Sequence, residues 1–352
     1  MQSMKKEKVL ILRLSSLGDV IFNIPLANSL KNAGYEVSWL VSEKGYDILK
    51  NNPSVDNVIL APYVKWKKGN KNGKCSFLSK FNEWREIRHT IKEQHFDIAI
   101  DSHGMFKSLL FLAFSGIKRR IIASDAKEFS SFAANEFVKF PAKNDYSINI
   151  IDKYLLFAKY LNIPTENAKI TTPESTKECI EKIDNILKKF EGINKPLVIL
   201  CPVTTWANKH WDKEKWKELV EKVGDKYNIV LTGTKNDYDY IEYINQGKHL
   251  NIAGQTSLME LLELFKRSDL VLSLDSGSTH LAHAAGKPAI ISIFCCTPKT
   301  LYEPVGEKYI SLSGNLSCQP CHKRKCPLKT NECTHLPAVR EVLDAIHKVL
   351  PS

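Results

Sequence analysis

An α/β protein made of two doubly wound parallel-sheet lobes is what this 352-residue sequence predicts. Short, almost wholly apolar runs alternate with helix-period segments, the pattern of strands buried on both faces and joined by crossover helices. The alternation occurs twice, on either side of a polar stretch near 172–195, and the length suits two domains at about 150 residues each.

Residues 8–14 (KVLILRL) open the first series as a buried strand. A helical stretch over 19–33 follows and stops at Gly34, a residue suited to ending a helix. Strand-like segments recur at 35–41, 57–60, 96–101 and 120–122, and in the second series at 196–201, 228–232, 269–275 and 289–294. Helices over 212–223 and 257–267 separate members of the second series. A last helical stretch covers 337–350, and its periodicity does not say which lobe it joins.

Hydrophobic residues at 43% and charged residues at 25% exclude a disordered or fibrous chain. The formal net charge of +11 asks for an anionic partner: nucleic acid, a membrane surface or a phosphorylated small molecule. The polar, basic start lacks a signal-peptide core, so a cytoplasmic protein is expected, and the nine cysteines are expected to be reduced. The apolar run 109–114 is far short of the roughly 20 residues that cross a bilayer.

In doubly wound folds ligands bind beyond the carboxyl ends of strands, and three strand-to-helix turns stand out. The turn 15–19 (SSLGD) has one glycine and so is no dinucleotide fingerprint. Its Asp19 reads either as a carboxylate capping the next helix or as a general base for an attacking hydroxyl. The turn 274–280 (LDSGSTH) combines Gly277 with the hydroxyls of Ser276 and Ser278 at a helix start, an anion site suited to a diphosphate. His280 reads as a phosphate contact and His283 as a packed core residue; as a metal pair the two have no third ligand at a suitable spacing. The turn 204–211 (TTWANKHW) offers hydroxyls and Lys209 as a point charge for a phosphate, or a solvated loop.

Residues 61–80 carry six lysines and no acid, with Trp66 and Phe77 among them, and 117–120 (IKRR) adds three charges. Such runs are solvated faces or, with interleaved aromatics, surfaces for a membrane or an anionic acceptor. Cys318, Cys321, Cys326 and Cys333, with His322 and His335 nearby, form the densest thiol cluster, but one without paired C-x2-C knuckles. Structural zinc and reduced thiols both remain open there.

Five stretches, 13–19 (RLSSLGD), 63–68 (YVKWKK), 96–108 (FDIAIDSHGMFKS), 204–211 (TTWANKHW) and 275–280 (DSGSTH), in this order resemble the ADP-heptose lipopolysaccharide heptosyltransferases of glycosyltransferase family 9. The resemblance implies a GT-B fold with an acceptor lobe over 1–175, a donor lobe over 190–335, and a final segment, 336–352, packing back on the first lobe. It implies that Asp19 is the catalytic base. It implies donor contacts from Thr204, Thr205, Lys209, Gly233, Asp275, Ser276, Gly277, Ser278 and His280. Acceptor contacts would come from Gly18, Lys65, Lys67, Lys68, His103, Gly104, Lys107 and Lys127.

The implied reaction is an inverting transfer of heptose from ADP-heptose to a Kdo residue of lipid A-linked core, without metal or other cofactor, at the cytoplasmic face of the inner membrane. His103 stands where the first-heptose enzymes usually have Gln, Lys127 where they have Arg, and Lys235 where an acid is expected near the nucleoside. The cysteine run is more like that of the second-heptose enzymes, so addition to the first heptose, or use of another nucleotide sugar, is the alternative within the family. Outside it, a nucleic-acid-binding protein would explain +11, but no helix-turn-helix, RNP or finger pattern accompanies the charge. A zinc module on the cysteine run is the other non-enzyme reading.

Overall fold

The structure, a computed structural model, describes residues 6–68, 76–142 and 144–350. It divides into two compact units, Met1–Glu174 and Ser175–Ser352.

The first unit contains β1 (Lys8–Leu12), β2 (Glu36–Ser42), β3 (Asn57–Ala61), β4 (Ile98–Asp101), β5 (Arg119–Ala123) and β6 (Glu136–Val138). They form one parallel sheet in the order β3-β2-β1-β4-β5-β6, with Leu12 of β1 beside Asp101 of β4. Val9, Leu10, Ile11 and Leu12 are all buried, as expected of a central strand covered on both faces. Helix Leu17–Asn32, whose apolar residues occur on every side, is buried from Val20 to Leu30.

The second unit repeats the plan with β7 (Leu197–Cys201), β8 (Asn228–Leu231), β9 (Leu250–Asn251), β10 (Leu270–Leu274), β11 (Ala289–Phe294) and β12 (Tyr309–Ser313). The order β12-β11-β10-β7-β8-β9, again all parallel, is the same doubly wound order counted from this unit's own first strand. In each unit the winding reverses beside the first strand, between β1 and β4 and between β7 and β10. Those two positions are the topological switch points, where such sheets open a crevice at their carboxyl ends.

Two expectations are corrected. The polar stretch expected to be a linker contains helix Lys177–Leu187, packed on helix Leu258–Arg267 and tied to it by Lys182–Glu260 at 2.8 Å and by an Arg267–Asp184 ion pair. The last helix, Val339–Val349, expected on the first lobe, packs within the second unit against helix Lys213–Val223 and β11. The cause is its apolar stripe: Val339, Val342, Ala345 and Ile346 complete the second unit's core, and the buried Trp211 Nε1 donates to the Pro337 carbonyl at 3.0 Å. No helix among the described residues is long and apolar enough to cross a membrane.

Candidate functional site

Each switch point gathers charged side chains that the sequence delivers from two adjacent strand ends. In the first unit β1 runs out at Leu12, and the next residue, Arg13, is a buried guanidinium. Its Nη1 donates to the Ser102 carbonyl beyond β4, its Nη2 lies 2.6 Å from Asp19 Oδ1, and its face covers the Tyr154 ring at 5.3 Å. Asp19, in the first turn of helix Leu17–Asn32, uses its other oxygen to accept from the Ser16 amide at 3.0 Å and the Ser16 hydroxyl at 2.9 Å. The capping reading is therefore present in the structure. It occupies Oδ2, while the side chain stays 28% exposed. Burial pushes this carboxyl up, but Arg13 and the Ser16 donors outweigh it, and the net lies below the ordinary aspartate value.

Across the switch, Asp101 ends β4 and is completely buried. Its Oδ1 accepts from the His103 amide at 2.9 Å and the Gly104 amide at 3.0 Å. Burial nevertheless dominates and raises its carboxyl to about 6. Gly104 turns the chain with φ +59°, a left-handed conformation that glycine adopts freely. The His103 imidazole is buried against the Ser15 backbone, and burial together with Arg13 lowers its pKa to about 3. It is neutral at physiological pH, within electrostatic reach of Asp19 and Lys107.

The remaining residues expected on the acceptor side are spread around this centre. Gly18 is buried at the start of the helix that carries Asp19. Lys107 lies over the Tyr63 ring at 4.2 Å, and the amide of the exposed Lys127 donates to the Gly104 carbonyl at 2.9 Å. Lys65 is paired with Glu83 at 2.6 Å, which also accepts from Trp66 Nε1 at 2.6 Å. Lys67 is exposed. The side chain of Lys68, and positions 71 and 74 of the lysine-rich stretch, lie outside the described residues.

In the second unit the turns after β7 and β10 meet. Lys209 Nζ is 2.6 Å from Asp275 Oδ2, and Thr204 Oγ1 donates to the Asp275 carbonyl at 3.4 Å. Asp275 is buried, and Thr297 Oγ1 donates to Oδ2 at 2.5 Å while His280 Nε2 stands 3.8 Å from Oδ1. Burial pushes the Asp275 carboxyl up, but His280 and Lys209 more than reverse this and hold it far below the usual carboxylate range. The ammonium of Lys209 also lies 4.7 Å over the Trp206 ring, whose other cation is Arg324 at 5.2 Å.

Helix Gly277–Ala285 begins here, and Ser276, its N-cap residue, makes no side-chain cap bond. The Ser276 hydroxyl is buried without a partner, beside backbone amides that a helix start leaves unsatisfied. Ser278 bonds instead to the Cys201 thiol, and Thr205 is exposed. Gly233, after β8, allows close packing, since a Cβ there would meet Ile241 Cδ1 at 2.5 Å. Lys235 is exposed on the next turn. His283 packs edge-on to Tyr309 at 5.1 Å, and burial and His280 lower its pKa to about 4.

Arg13, Asp101, Tyr154 and Thr297 were not singled out from the sequence. A charge closing an apolar run, as in RL after KVLIL or D after IAI, is a signal for the first two; Thr297 and Tyr154 carry none. Among the described residues, no three His, Cys, Asp or Glu side chains form a metal-binding group. Within the cysteine run Cys318 is exposed, Cys321 and Cys326 half-buried, and Cys333 buried, all as free thiols.

Residues 84–331 match the profile of a family described as glycosyltransferase family 9 (heptosyltransferase). The lipopolysaccharide heptosyltransferase 1 of Pseudomonas aeruginosa is 25% identical over 335 residues, covering 92% of this chain and 89% of that protein. The crystal structure of a family 9 glycosyl transferase from Veillonella parvula superposes with a TM-score of 0.80 at 17% identity, covering 98% and 97% of the two chains. An Escherichia coli heptosyltransferase solved with ADP-2-deoxy-2-fluoro heptose gives a TM-score of 0.70 at 20% identity, covering 97% of this chain and 99% of the other. These likenesses extend through both doubly wound units, the plan of the GT-B fold. With the family profile matched over more than half its length, the chain belongs to glycosyltransferase family 9.

Proposed function

We propose that the protein transfers an L-glycero-D-manno-heptosyl group from ADP-heptose to a Kdo hydroxyl of lipid A-linked inner core, in lipopolysaccharide assembly at the membrane surface. The observation that carries this reading is that each unit, taken by itself, has a charged centre at its switch point: a partly exposed, ionised Asp19 in the first, and the Lys209–Asp275 pair with the open Ser276 helix start in the second. The donor and the lipopolysaccharide setting come from the relatives just described, one a lipopolysaccharide heptosyltransferase 1 and one solved with an ADP-heptose analogue.

In this mechanism the acceptor oxygen forms its bond to the anomeric carbon as the bond to the diphosphate oxygen breaks. ADP departs with the electron pair, the acceptor proton passes to Asp19, and one displacement inverts the centre. Arg13 keeps Asp19 ionised but makes it a weak base, so departure of the leaving group leads and the proton moves late. Lys209 and the amides at the start of helix Gly277–Ala285 then take up the charge that accumulates on the diphosphate, the role a divalent ion plays in other transferases. Neutral His103 supports this acceptor assignment, because it has the charge of the glutamine expected there.

The experiment is an assay with ADP-heptose and two acceptors, Kdo2-lipid A and its monoheptosylated form, with and without EDTA. Transfer to the first acceptor, undiminished by EDTA, supports the reading. Transfer only to the heptosylated acceptor supports addition of the second heptose, the alternative that the Cys318–Cys333 run favours.

A further inference from the structure

All exposed phenylalanines among the described residues lie in the first unit, whereas Phe190, Phe265 and Phe294 of the second are buried or half-buried. Several form a run of touching rings, and a further ring pair lies at the turn on which one of their helices packs. On helix Phe77–Glu93, Phe77, Phe81, Trp84 and Arg88 follow one another at helical spacing. Phe77 stacks on Phe81 at 6.5 Å, Phe81 lies 5.7 Å from Trp84, and Trp84 meets Phe114 edge-on at 6.1 Å. Phe114 closes helix Phe106–Ala113, where Phe106, Leu110 and Phe114 share a face four residues apart. That helix packs on the turn Ser130–Ala133, beside which Phe129 and Phe132 stack at 6.1 Å. Phe77, Phe129 and Phe132 are 80%, 75% and 83% exposed, a large cost in water without a partner.

Cations are interleaved with these rings. Arg88 stacks on both Trp84, at 4.8 Å, and Phe114, at 5.0 Å; Lys80, Arg85, Lys107, Lys118 and Lys127 stand beside the aromatics in sequence. The first unit holds 26 Lys plus Arg against 18 Asp plus Glu, so it carries +8 of the +11. Aromatic rings that need an apolar phase, with cations that need anions at the same depth, match the headgroup region of an anionic bilayer.

We propose that helix Phe77–Glu93, the Phe106–Phe114 face and the Phe129–Phe132 turn are the surface by which the protein docks on an anionic phospholipid membrane. The choice of a bilayer over a protein partner rests on the reading above, in which the acceptor is lipid-anchored. The docking itself needs no acceptor.

The test is flotation of the full chain with vesicles of phosphatidylethanolamine plus phosphatidylglycerol, and with vesicles of phosphatidylcholine alone. A triple variant, Phe77→Ser, Phe129→Ser and Phe132→Ser, changes three side chains too exposed to support the fold. The wild type is expected to float with the anionic vesicles, less so at high salt and little with phosphatidylcholine. The variant is expected to bind about tenfold more weakly or worse, while its transfer to an acyl-free Kdo acceptor matches the wild type. Wild-type protein that stays unbound, or a variant that floats equally well, overturns the proposal. So does a wild-type dimer in vesicle-free solution that the variant abolishes, since the rings would then form a self-association face. Vesicle binding without heptose transfer to any Kdo acceptor would fault the acceptor reading and leave the docking surface standing.

Discussion

Asp19 meets two demands with two oxygens. Oδ2 satisfies the Ser16 donors at the helix start, and Oδ1 takes the guanidinium of Arg13. Replacing it by Ala should lower turnover about a hundredfold or more, as loss of a general base does, with an unchanged circular dichroism spectrum. Near-normal turnover would remove Asp19 from the mechanism. Arg13→Met should act through the same carboxylate. With the guanidinium gone, only the Ser16 donors still oppose burial, so the Asp19 carboxyl should rise and the acid limb of the kcat/KM profile should move to higher pH. A fall in rate with no displacement of that limb would make Arg13 merely structural.

Lys209 and Asp275 are likewise interdependent. Lys209→Met leaves a buried carboxylate without its cation, so it should destabilise the protein more than Lys209→Met combined with Asp275→Asn. Thermal melts of the two variants test this; equal losses would mean the pair is not coupled. Of these groups the sequence disclosed Asp19, Lys209 and Asp275, because each sits in a turn rich in small and polar residues. Arg13 and Asp101 were hidden, because a single charge at or next to the end of an apolar run is easily read as part of the run's boundary.

At the scale of the element, the strands that the sequence disclosed are the central ones, whose near-continuous apolar runs follow from cover on both faces, together with the edge strand β3. Strands β6, β9 and β12 did not register. All three are edge strands, β9 is two residues long and β12 is half-buried throughout, so none needs an uninterrupted apolar run. The last helix was legible as a helix but not in its destination, since an apolar stripe fits any complementary groove. Its packing predicts that Ile346→Ala costs about 2–5 kcal/mol of stability in the second unit, measurable by chemical denaturation. A cost well under 1 kcal/mol would place that face elsewhere.

The end of β4 makes a prediction of a different kind. Asp101 titrates near 6 in the folded chain against about 4 when unfolded, so between those values the folded chain holds a proton that the unfolded chain has lost. Its contribution is most favourable below pH 4 and worsens as the pH rises through 6. Asp101→Asn removes the titration, and its melting temperature relative to wild type should climb from pH 4 to 7. A difference independent of pH would show that Asp101 is not the group responsible.

Across the whole molecule, one strand order is used twice, and each copy places its charged centre at the position where the winding reverses. The first copy offers an ionised carboxylate, and the second offers a lysine and an uncapped helix start. The net charge that first suggested three kinds of partner divides along the same line, most of it lying in the unit that bears the exposed aromatic rings. The assignment of a sugar acceptor to one unit and a nucleotide diphosphate donor to the other makes the heptosyl transfer itself the most direct test. Purified protein should convert ADP-heptose and Kdo2-lipid A to ADP and a heptosylated product of inverted anomeric configuration, and Asp19→Ala should abolish that product. A retained anomeric configuration, or full product formation by Asp19→Ala, would contradict the account.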